Sequence, residues 1–431
     1  MLAVINANRD ADGKELDLIP RIKLAFNMKD IKEAASELDD TTAALGRFTR
    51  LLLSNHRVIE GKSSKNAAKL AKALRHVRTF ASDLSLAIFD GWGDGCHRKH
   101  EARLFLEDRV DNALEILKKA GKESATPILT FHLIFAADID QQDKMWHEST
   151  VQVFDETSKD CHKPQLLGQH SGKSQVTFTT SKATSSPLRP EITAIGDICK
   201  AITSANINKQ HIVFADQKLG TICTDETIRY KIQCVETMTL RDLFSVANAP
   251  RWGPILPWKF RMVLALRLAS SLLQLLQTKW LQNTWSKDMV YFQLQPGSTD
   301  TNLLLDLGQP FVSLTLDPSS AESTQLEPVE PKIALLELGI LLLEIWHEVT
   351  LESRFGLNEG PKGYYQRLGL AVEWLDDTHN PLPELYDQAV SHCIQRPAGE
   401  ARSKNWEDIK FWGTICGEVV EPLSKNCRQW R

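Results

Sequence analysis

The chain has 431 residues, of which 42% are hydrophobic and 25% charged, as in folded globular proteins long enough for two or three domains. The formal net charge is −4 and the pI is near 6.3. This balance excludes a large basic field that would hold a phosphate backbone by counterion release, so we expect no nucleic-acid partner.

The sequence also lacks the usual signs of secretion or membrane insertion. The N-terminal apolar run is broken at Asn6, so it forms neither a signal-peptide core nor a membrane anchor. The most apolar later run, "LGILLLEIWHEV", contains Glu344 and is shorter than the about 20 residues of a transmembrane segment, so we expect a buried helix. The eight cysteines have no CxxC spacing, and we expect reduced thiols in the cytoplasm.

Residues 1–95 have a helical pattern. Within 63–92, apolar residues recur at steps of three and four, which places them on one helix face. The members of this stripe are Leu70, Leu74, Val77, Ala81, Leu84 and Ile88. An earlier helix or pair of helices in 31–59 is expected to cover the stripe, and we predict an N-terminal helical bundle or hairpin.

Residues 96–237 are predicted to form a small mixed α/β region. Short apolar or alternating runs are typical of strands. The predicted strands lie in 101–110, 130–139, 147–156, 211–222 and 230–238, and the predicted helices in 110–121 and 191–202. A tract near 165–190 is rich in Ser, Thr and Lys, and we predict a mobile loop there.

Residues 238–431 have a mainly helical pattern. The predicted helices lie in 239–248, 257–281, 331–349, 364–377, 383–395 and 405–423, with a predicted loop at 317–331. The fold class that follows is α+β, with an N-terminal helical bundle or hairpin, a small strand-rich part and a larger helical part.

The order of these elements resembles the two-lobed protein kinase fold. The stretch "CVETMTLRDLF" resembles the hinge strand and the first C-lobe helix, and "MVLALRLASSLLQLL" resembles the helix before the catalytic loop. The stretch "LLELGILLLEIW" resembles the central buried helix of the C-lobe. The resemblance implies a small strand-rich lobe followed by a larger helical lobe.

The chain resembles more closely a family of fungal kinase-like proteins of unknown function. The resemblance rests on "GWGDGCHRKHEARLFLEDR", on "MWHESTVQVF", and on "TKWLQNTWSKDMVYF" followed by "LGILLLEIW". It covers roughly residues 20–425. It implies a degenerate kinase-like domain after a helical region, in a setting related to heterokaryon incompatibility and regulated cell death.

Phosphoryl transfer needs a carboxylate to orient the substrate hydroxyl and further polar ligands for Mg²⁺. In active kinases, an H-R-D-x-x-x-x-N segment and a D-F-G segment supply them. Aligned on "TKWLQNTWSKDMVYF", the first pattern places Gln282, Asn283 and Thr284 at His-Arg-Asp, and Met289 at Asn. Threonine has no carboxylate and methionine does not chelate Mg²⁺, so we expect an inactive loop.

Two further kinase positions also lack an acidic residue. Ser313 stands where the metal-binding Asp of Asp-Phe-Gly is expected, and Ala334 stands where the buried helix of active kinases begins with an Asp. We therefore predict a protein without kinase activity, without catalytic or metal-binding residues and without a cofactor. The expected function is a pseudokinase-like scaffold or signalling protein that binds protein partners.

A shifted frame leaves an alternative open. Asp288 lies four positions after Thr284; as the catalytic Asp it would place Gln293 at the Asn position and Lys287 near a phosphate. In this alternative the protein is an atypical phosphotransferase that uses Asp288 or Asp306 with ATP and Mg²⁺, or a nucleotide-binding sensor. The first interpretation of Asp288 is a loop residue with local hydrogen bonds.

A short Cys/His cluster suggests a metal site on spacing alone. Cys96, His97 and His100 lie close together, but a structural zinc needs four ligands and no second pair follows at a normal spacing. Cys161 and His162 would have to complete such a site in space. We predict no metal site.

The remaining motifs receive structural interpretations. Gly91–Gly95 follow a predicted helix and are expected to form a C-cap and turn. Lys182 and Lys218 do not lie in a V-A-I-K-like strand and receive no role. Trp280 and Trp285 are expected to be large anchors between helices and the loop.

Overall fold

A computed structural model describes the chain from Lys65 onward, with gaps. The described residues are 65–92, 100–120, 126–137, 146–154, 192–203, 210–223, 231–232, 236–247, 256–294, 305–316, 329–358, 360, 363–377, 380–395 and 406–429. The helices predicted in 31–59 and the loop predicted near 165–190 lie outside them. The fold is a mixture of α-helices and β-strands, as the sequence predicts at this level.

The strands in the described part form one sheet of ten. They are β1 His100–Phe105, β2 Leu129–Ala137, β3 Trp146–Val153, β4 Thr193–Ala194, β5 Gln210–Ala215, β6 Lys218–Cys223, β7 Lys231–Ile232, β8 Thr237–Thr239, β9 Tyr291–Leu294 and β10 Leu305–Leu316. The order is β4-β6-β5-β3-β2-β1-β10-β9-β8, and β7 pairs with β3. All described pairs are antiparallel except β3 with β5.

The sheet continues across residue 237, where the sequence places a domain boundary. β10 lies beside β1, with Phe311 opposite Phe105 and Ser313 opposite Arg103. β9 then joins β10 to β8. Strands from the predicted N-lobe and from the predicted C-lobe therefore share one hydrogen-bonded sheet.

The helices account for most of the described residues after residue 238. They are α1 Lys65–Asp90, α2 Ala113–Lys119, α3 Ile198–Thr203, α4 Leu240–Ala247, α5 Trp258–Leu275, α6 Pro331–His347, α7 Leu351–Arg354, α8 Tyr364–Leu375, α9 Glu384–Gln395, α10 Ile409–Ile415 and α11 Glu421–Gln429. A π-helical segment, Cys416–Val420, joins α10 to α11. Among the described helices, none is long and apolar enough to cross a membrane.

Helix α1 packs its apolar stripe into the main core. All six positions of the predicted stripe are buried: Leu70, Leu74, Val77, Ala81, Leu84 and Ile88. The same core contains one face of the sheet, including Ala102, Leu104 and Phe135, and the buried face of α5. The helix predicted from the N-terminal region thus belongs to the compact unit Ser63–Arg431.

Two local features differ from the sequence prediction. The predicted strand 211–222 is a hairpin of β5 and β6, because Asp216 and Gln217 both take positive φ angles, 50° and 58°, which suit a tight turn between twisted strands. Helix α5 ends at Leu275, six residues before the predicted end, because Leu276 is extended and Gln277 is left-handed at φ 61°.

No disulfide bond joins the cysteines of the described residues. They are Cys199, Cys223, Cys393, Cys416 and Cys427. Burial raises the pKa of the Cys393 and Cys416 thiols well above the ordinary value, so both act as small apolar side chains of the core.

Gly339 and Gly369 differ in how much space the neighbouring residues leave for a side chain. A Cβ at Gly339 of α6 would lie 2.7 Å from Ile394 Cγ1 and 3.0 Å from Cys393 Cβ, whereas a Cβ at Gly369 of α8 meets nothing within 4 Å. We expect Gly339→Ala to lower the free energy of unfolding by about 1–3 kcal/mol through overpacking. The matched variant Gly369→Ala is expected to raise it by up to about 1 kcal/mol, because alanine favours helix.

Urea denaturation of both variants beside the wild type checks this contrast. A Gly339→Ala protein as stable as the wild type would contradict the close approach of α6 and α9.

Candidate functional site

The loop 276–290, between α5 and β9, contains the stretch that the sequence aligns with a kinase catalytic loop. Two buried tryptophans anchor it. Trp280 Nε1 donates to the Ala81 carbonyl of α1 at 3.1 Å, and Trp285 Nε1 donates to the Leu268 carbonyl of α5 at 3.1 Å. The prediction that both tryptophans join helices to the loop is confirmed.

The residues at the degenerate kinase positions lie on three elements. In the loop, Gln282 and Thr284 are half-buried and Asn283 is exposed. Met289 is partly buried against the main core. Its backbone N–H donates to the Ser286 carbonyl at 3.0 Å.

The residues at the other two degenerate positions, Ala334 and Ser313, lie outside the loop. Ala334 is fully buried in α6. Ser313 lies on β10 and donates its hydroxyl to Glu101 Oε1 of β1 at 2.7 Å. Thr284 lines a cavity beside α6, and Ser313 is not among the residues that line it.

The centre of the loop is a buried ion-pair cluster. Lys287 Nζ lies 2.7 Å from Glu344 Oε1 and 3.0 Å from Glu352 Oε2. Glu344 Oε1 also accepts from the Leu351 N–H at 2.8 Å. The ammonium group thus joins the loop to α6 and to α7, and we call these three side chains the Lys287 cluster.

Two carboxylates share one ammonium in the Lys287 cluster, and their pKa values move in opposite directions. Burial raises the pKa of Glu344, although Lys287 acts against this shift. For Glu352, burial opposes ionisation, but the hydrogen bond from Lys287 helps to lower the pKa. Glu352 is therefore the more firmly ionised partner of the ammonium.

Asp288 is held by an arginine from α4. Both of its carboxylate oxygens accept from Arg241, Oδ1 from Nε and Oδ2 from a terminal amino group at 2.9 Å. Ser286 Oγ also donates to Oδ2 at 3.1 Å, and the Asp288 N–H donates to Ser286 Oγ at 3.2 Å. The Arg241 bond is the main cause of the lowered pKa of Asp288. Asp288 is thus a loop residue whose bonds to Ser286 are local, as first interpreted, but whose bond to Arg241 on α4 is not.

A cavity of about 230 Å³ lies against this loop. It is lined by charged and polar side chains of the loop, α4, α6, α7 and α8, with two apolar residues of α6: Arg241, Thr284, Trp285, Ser286, Lys287, Glu337, Ile340, Leu341, Glu344, Glu352 and Arg367. Arg367 binds Glu337 through two parallel bonds, of 2.6 and 2.5 Å. Each lysine or arginine that lines the cavity therefore has a carboxylate partner within the chain.

The model of a protein family described as a domain of unknown function, DUF7580, matches residues 71–430. The chain belongs to this family. Comparison with curated proteins and with solved structures found no match. The match begins within α1 and extends past the end of α11, so the family domain includes most of α1, the sheet and the loop described above.

The other residues singled out from the sequence do not gather at this loop. Asp306 Oδ1 accepts from the Gly308 N–H at 3.0 Å, within β10. His100 Nδ1 lies 3.5 Å from Cys199 Sγ, and among the described residues no group of three metal-ligating side chains occurs. Lys218 is exposed on β6. The other members of the cysteine and histidine cluster, and Lys182, lie outside the described residues.

Sequence reasoning missed four of the charged residues around the loop. They are Arg241, Glu337, Glu352 and Arg367. One signal was present, because Glu344 stands in an otherwise apolar helix and a buried carboxylate needs a partner. The identity of that partner depends on the tertiary approach of Lys287, which spacing does not reveal.

Removal of the shared ammonium tests the Lys287 cluster. We expect Lys287→Met to lower the free energy of unfolding at pH 7.5 by about 3–5 kcal/mol, because Glu344 is left buried without a counter-charge. The matched variant Lys332→Met removes a partly exposed lysine whose carboxylate partner, Glu330, is exposed, and should change the urea midpoint far less.

The loss in Lys287→Met should shrink as the pH falls towards 5. The pKa of Glu344 is raised on folding, and without Lys287 it rises further, so the folded variant gains stability by proton uptake as the pH falls towards the unfolded-state value. The contribution of Glu352, whose pKa is lowered, is lost only below its unfolded-state pKa and so stays nearly constant over this interval. Urea denaturation of the variant and the wild type at pH 5.0 and 7.5 measures the difference; a difference that is the same at both pH values would contradict the cluster.

Proposed function

We propose that this protein is a non-catalytic, kinase-like scaffold that binds protein partners in a cytoplasmic, fungal signalling or self-recognition setting. The order β8, α4, α5, loop, β9, β10 and α6 supports a kinase-like C-terminal half. It matches the order of hinge, helices, catalytic loop, hairpin and buried helix that the sequence resemblance implies.

The proposal that the protein is non-catalytic rests on one observation. Near the aligned catalytic position Thr284, the charged side chains Lys287 and Asp288 are both bound within the chain. A catalytic carboxylate must accept a hydrogen bond and then a proton from the substrate hydroxyl. Asp288 is held by Arg241 through both oxygens, and this bond lowers its pKa, which makes it a poor proton acceptor.

The alternative is an atypical phosphotransferase or nucleotide sensor. Its support is the exposure of Asp288, whose side chain is 50% accessible. Asp306, the other acidic candidate, accepts from the N–H of Gly308 on its own strand. Asp288 is bound by Arg241, and neither Asp288 nor Asp306 lines the cavity beside the loop, so we favour the scaffold.

Binding and turnover of ATP decide between these functions. We expect the purified protein to release no phosphate from ATP above background in Mg²⁺, and its thermal midpoint to be the same with millimolar ATP in Mg²⁺ and in EDTA. A ligand at about 100 times its dissociation constant would add about 2.7 kcal/mol of stability, enough to move the midpoint measurably.

The variant Asp288→Ala provides the control. Turnover that requires Mg²⁺ and disappears in Asp288→Ala would overturn the proposal and establish the phosphotransferase. A midpoint shift that requires Mg²⁺, without turnover, would establish the nucleotide sensor.

A further inference from the structure

The sheet face that points away from the main core contains an unusual buried arginine. Side chains alternate along a strand, so Ala102 and Leu104 of β1 enter the main core while Arg103 lies on the opposite face. A small aromatic cluster occupies that face. Its buried members are Phe105, Ile134, Ala136, Trp146 and Phe311.

Arg103 is fixed in place on three sides. Its side chain is only 9% exposed, and its Nε donates to Glu101 Oε1 at 2.8 Å. Its guanidinium carbon lies 3.7 Å from the centre of the Trp146 ring and 5.1 Å from that of Phe311. Glu101 in turn accepts from the Ser313 hydroxyl at 2.7 Å. The guanidinium plane is therefore held before any ligand arrives.

Several donors at this position have no acceptor. An arginine carries five N–H donors, and within the described part of the chain Nε is the only one of Arg103 that has an acceptor. The indole N–H of Trp146 is also buried without an acceptor in that part. A buried donor left unsatisfied costs about 1–3 kcal/mol, and the adjacent indole is such a donor. The terminal nitrogens of Arg103 are not among the fully buried atoms of the described part, so a ligand can reach them.

We propose that Arg103 and Trp146 form a binding site for an oxyanion, the phosphate or carboxylate group of a small ligand. The planar guanidinium fork matches two oxygens of such a group, and the indole N–H supplies a further donor. Glu101 occupies only the Nε edge, so the terminal amino groups remain for the ligand.

Tyr291 extends the aromatic wall beside Arg103. It stacks on Phe311, with ring centres 5.6 Å apart. Burial and the carboxylates of Glu101, Asp288 and Asp242 raise the pKa of Tyr291, so its phenol stays protonated, and Arg103 is the cation that must attract the ligand against these carboxylates. The site goes beyond the proposed function, because an oxyanion can bind here whether or not the protein turns over ATP.

Fluorine NMR of protein labelled with 5-fluorotryptophan tests the site. The chain has 11 tryptophans, and the Trp146 signal is identified by its loss in Trp146→Phe. Sodium phosphate and sodium acetate are titrated separately at constant ionic strength. We expect a saturable shift of the Trp146 signal with at least one of them. Saturation by phosphate alone assigns a phosphoryl ligand, and saturation by acetate alone assigns a carboxylate.

Variants of Arg103 separate recognition from general charge effects. Arg103→Lys keeps the charge but loses the fork, and we expect it to weaken binding about tenfold or more; Arg103→Gln should weaken it further. The control Arg75→Gln removes an arginine that binds Glu407 on α1's exposed side and should leave the affinity unchanged.

Two results would overturn the site. One is a Trp146 signal in the wild type that does not move with either anion. The other is an equal response in the wild type and in Arg103→Lys, a variant whose folding is checked by its other tryptophan signals. Because neither experiment uses ATP turnover, failure of the oxyanion site and failure of the scaffold proposal remain distinguishable.

Discussion

The ammonium group of Lys287 is the constraint on which the loop region depends. It lies within hydrogen-bond distance of Glu344 and Glu352, and it joins three separate elements at one buried point. A buried charge persists only when it is paired and hydrogen-bonded. The path of the loop, the start of α7 and the position of α6 are therefore fixed together, and the buried tryptophans Trp280 and Trp285 hold the loop against α1 and α5.

The same constraint underlies our proposal that the loop serves binding rather than chemistry. A catalytic carboxylate and a phosphate-binding lysine must keep groups open for the substrate. Here Asp288 accepts from Arg241 through both oxygens, and Lys287 lies between two carboxylates. In the proposed scaffold, a fold that engages these groups internally can still present a surface to a partner. The cavity beside the loop is polar and internally neutralised, which favours specificity over strong intrinsic affinity.

The elements that could be predicted from the sequence are those set by local pattern. The predictions for the stripe of α1 and the apolar run of α6 were correct, since a three- to four-residue period or a continuous apolar run determines which side chains are buried. The predicted end of α5 was wrong, because the left-handed conformation of Gln277 follows from contacts at the loop. Pairing of β10 with β1 joins segments about 200 residues apart in sequence, and no local pattern specifies such a register. The loop substitutions were visible in the sequence, but the partners of Lys287 and Asp288 required the tertiary fold.

The most direct test of the central claim is the state of the Asp288 carboxyl group. Its pKa can be measured by carbon-13 NMR on aspartate-labelled protein, with the signal assigned through Asp288→Asn, and the titration repeated with millimolar Mg²⁺ and ATP. If the carboxylate is held by Arg241, the pKa lies below the ordinary aspartate value and the signal does not respond to Mg²⁺ and ATP. An ordinary pKa, or a signal that shifts saturably with Mg²⁺ and ATP, would contradict the account and indicate a carboxylate available for catalysis.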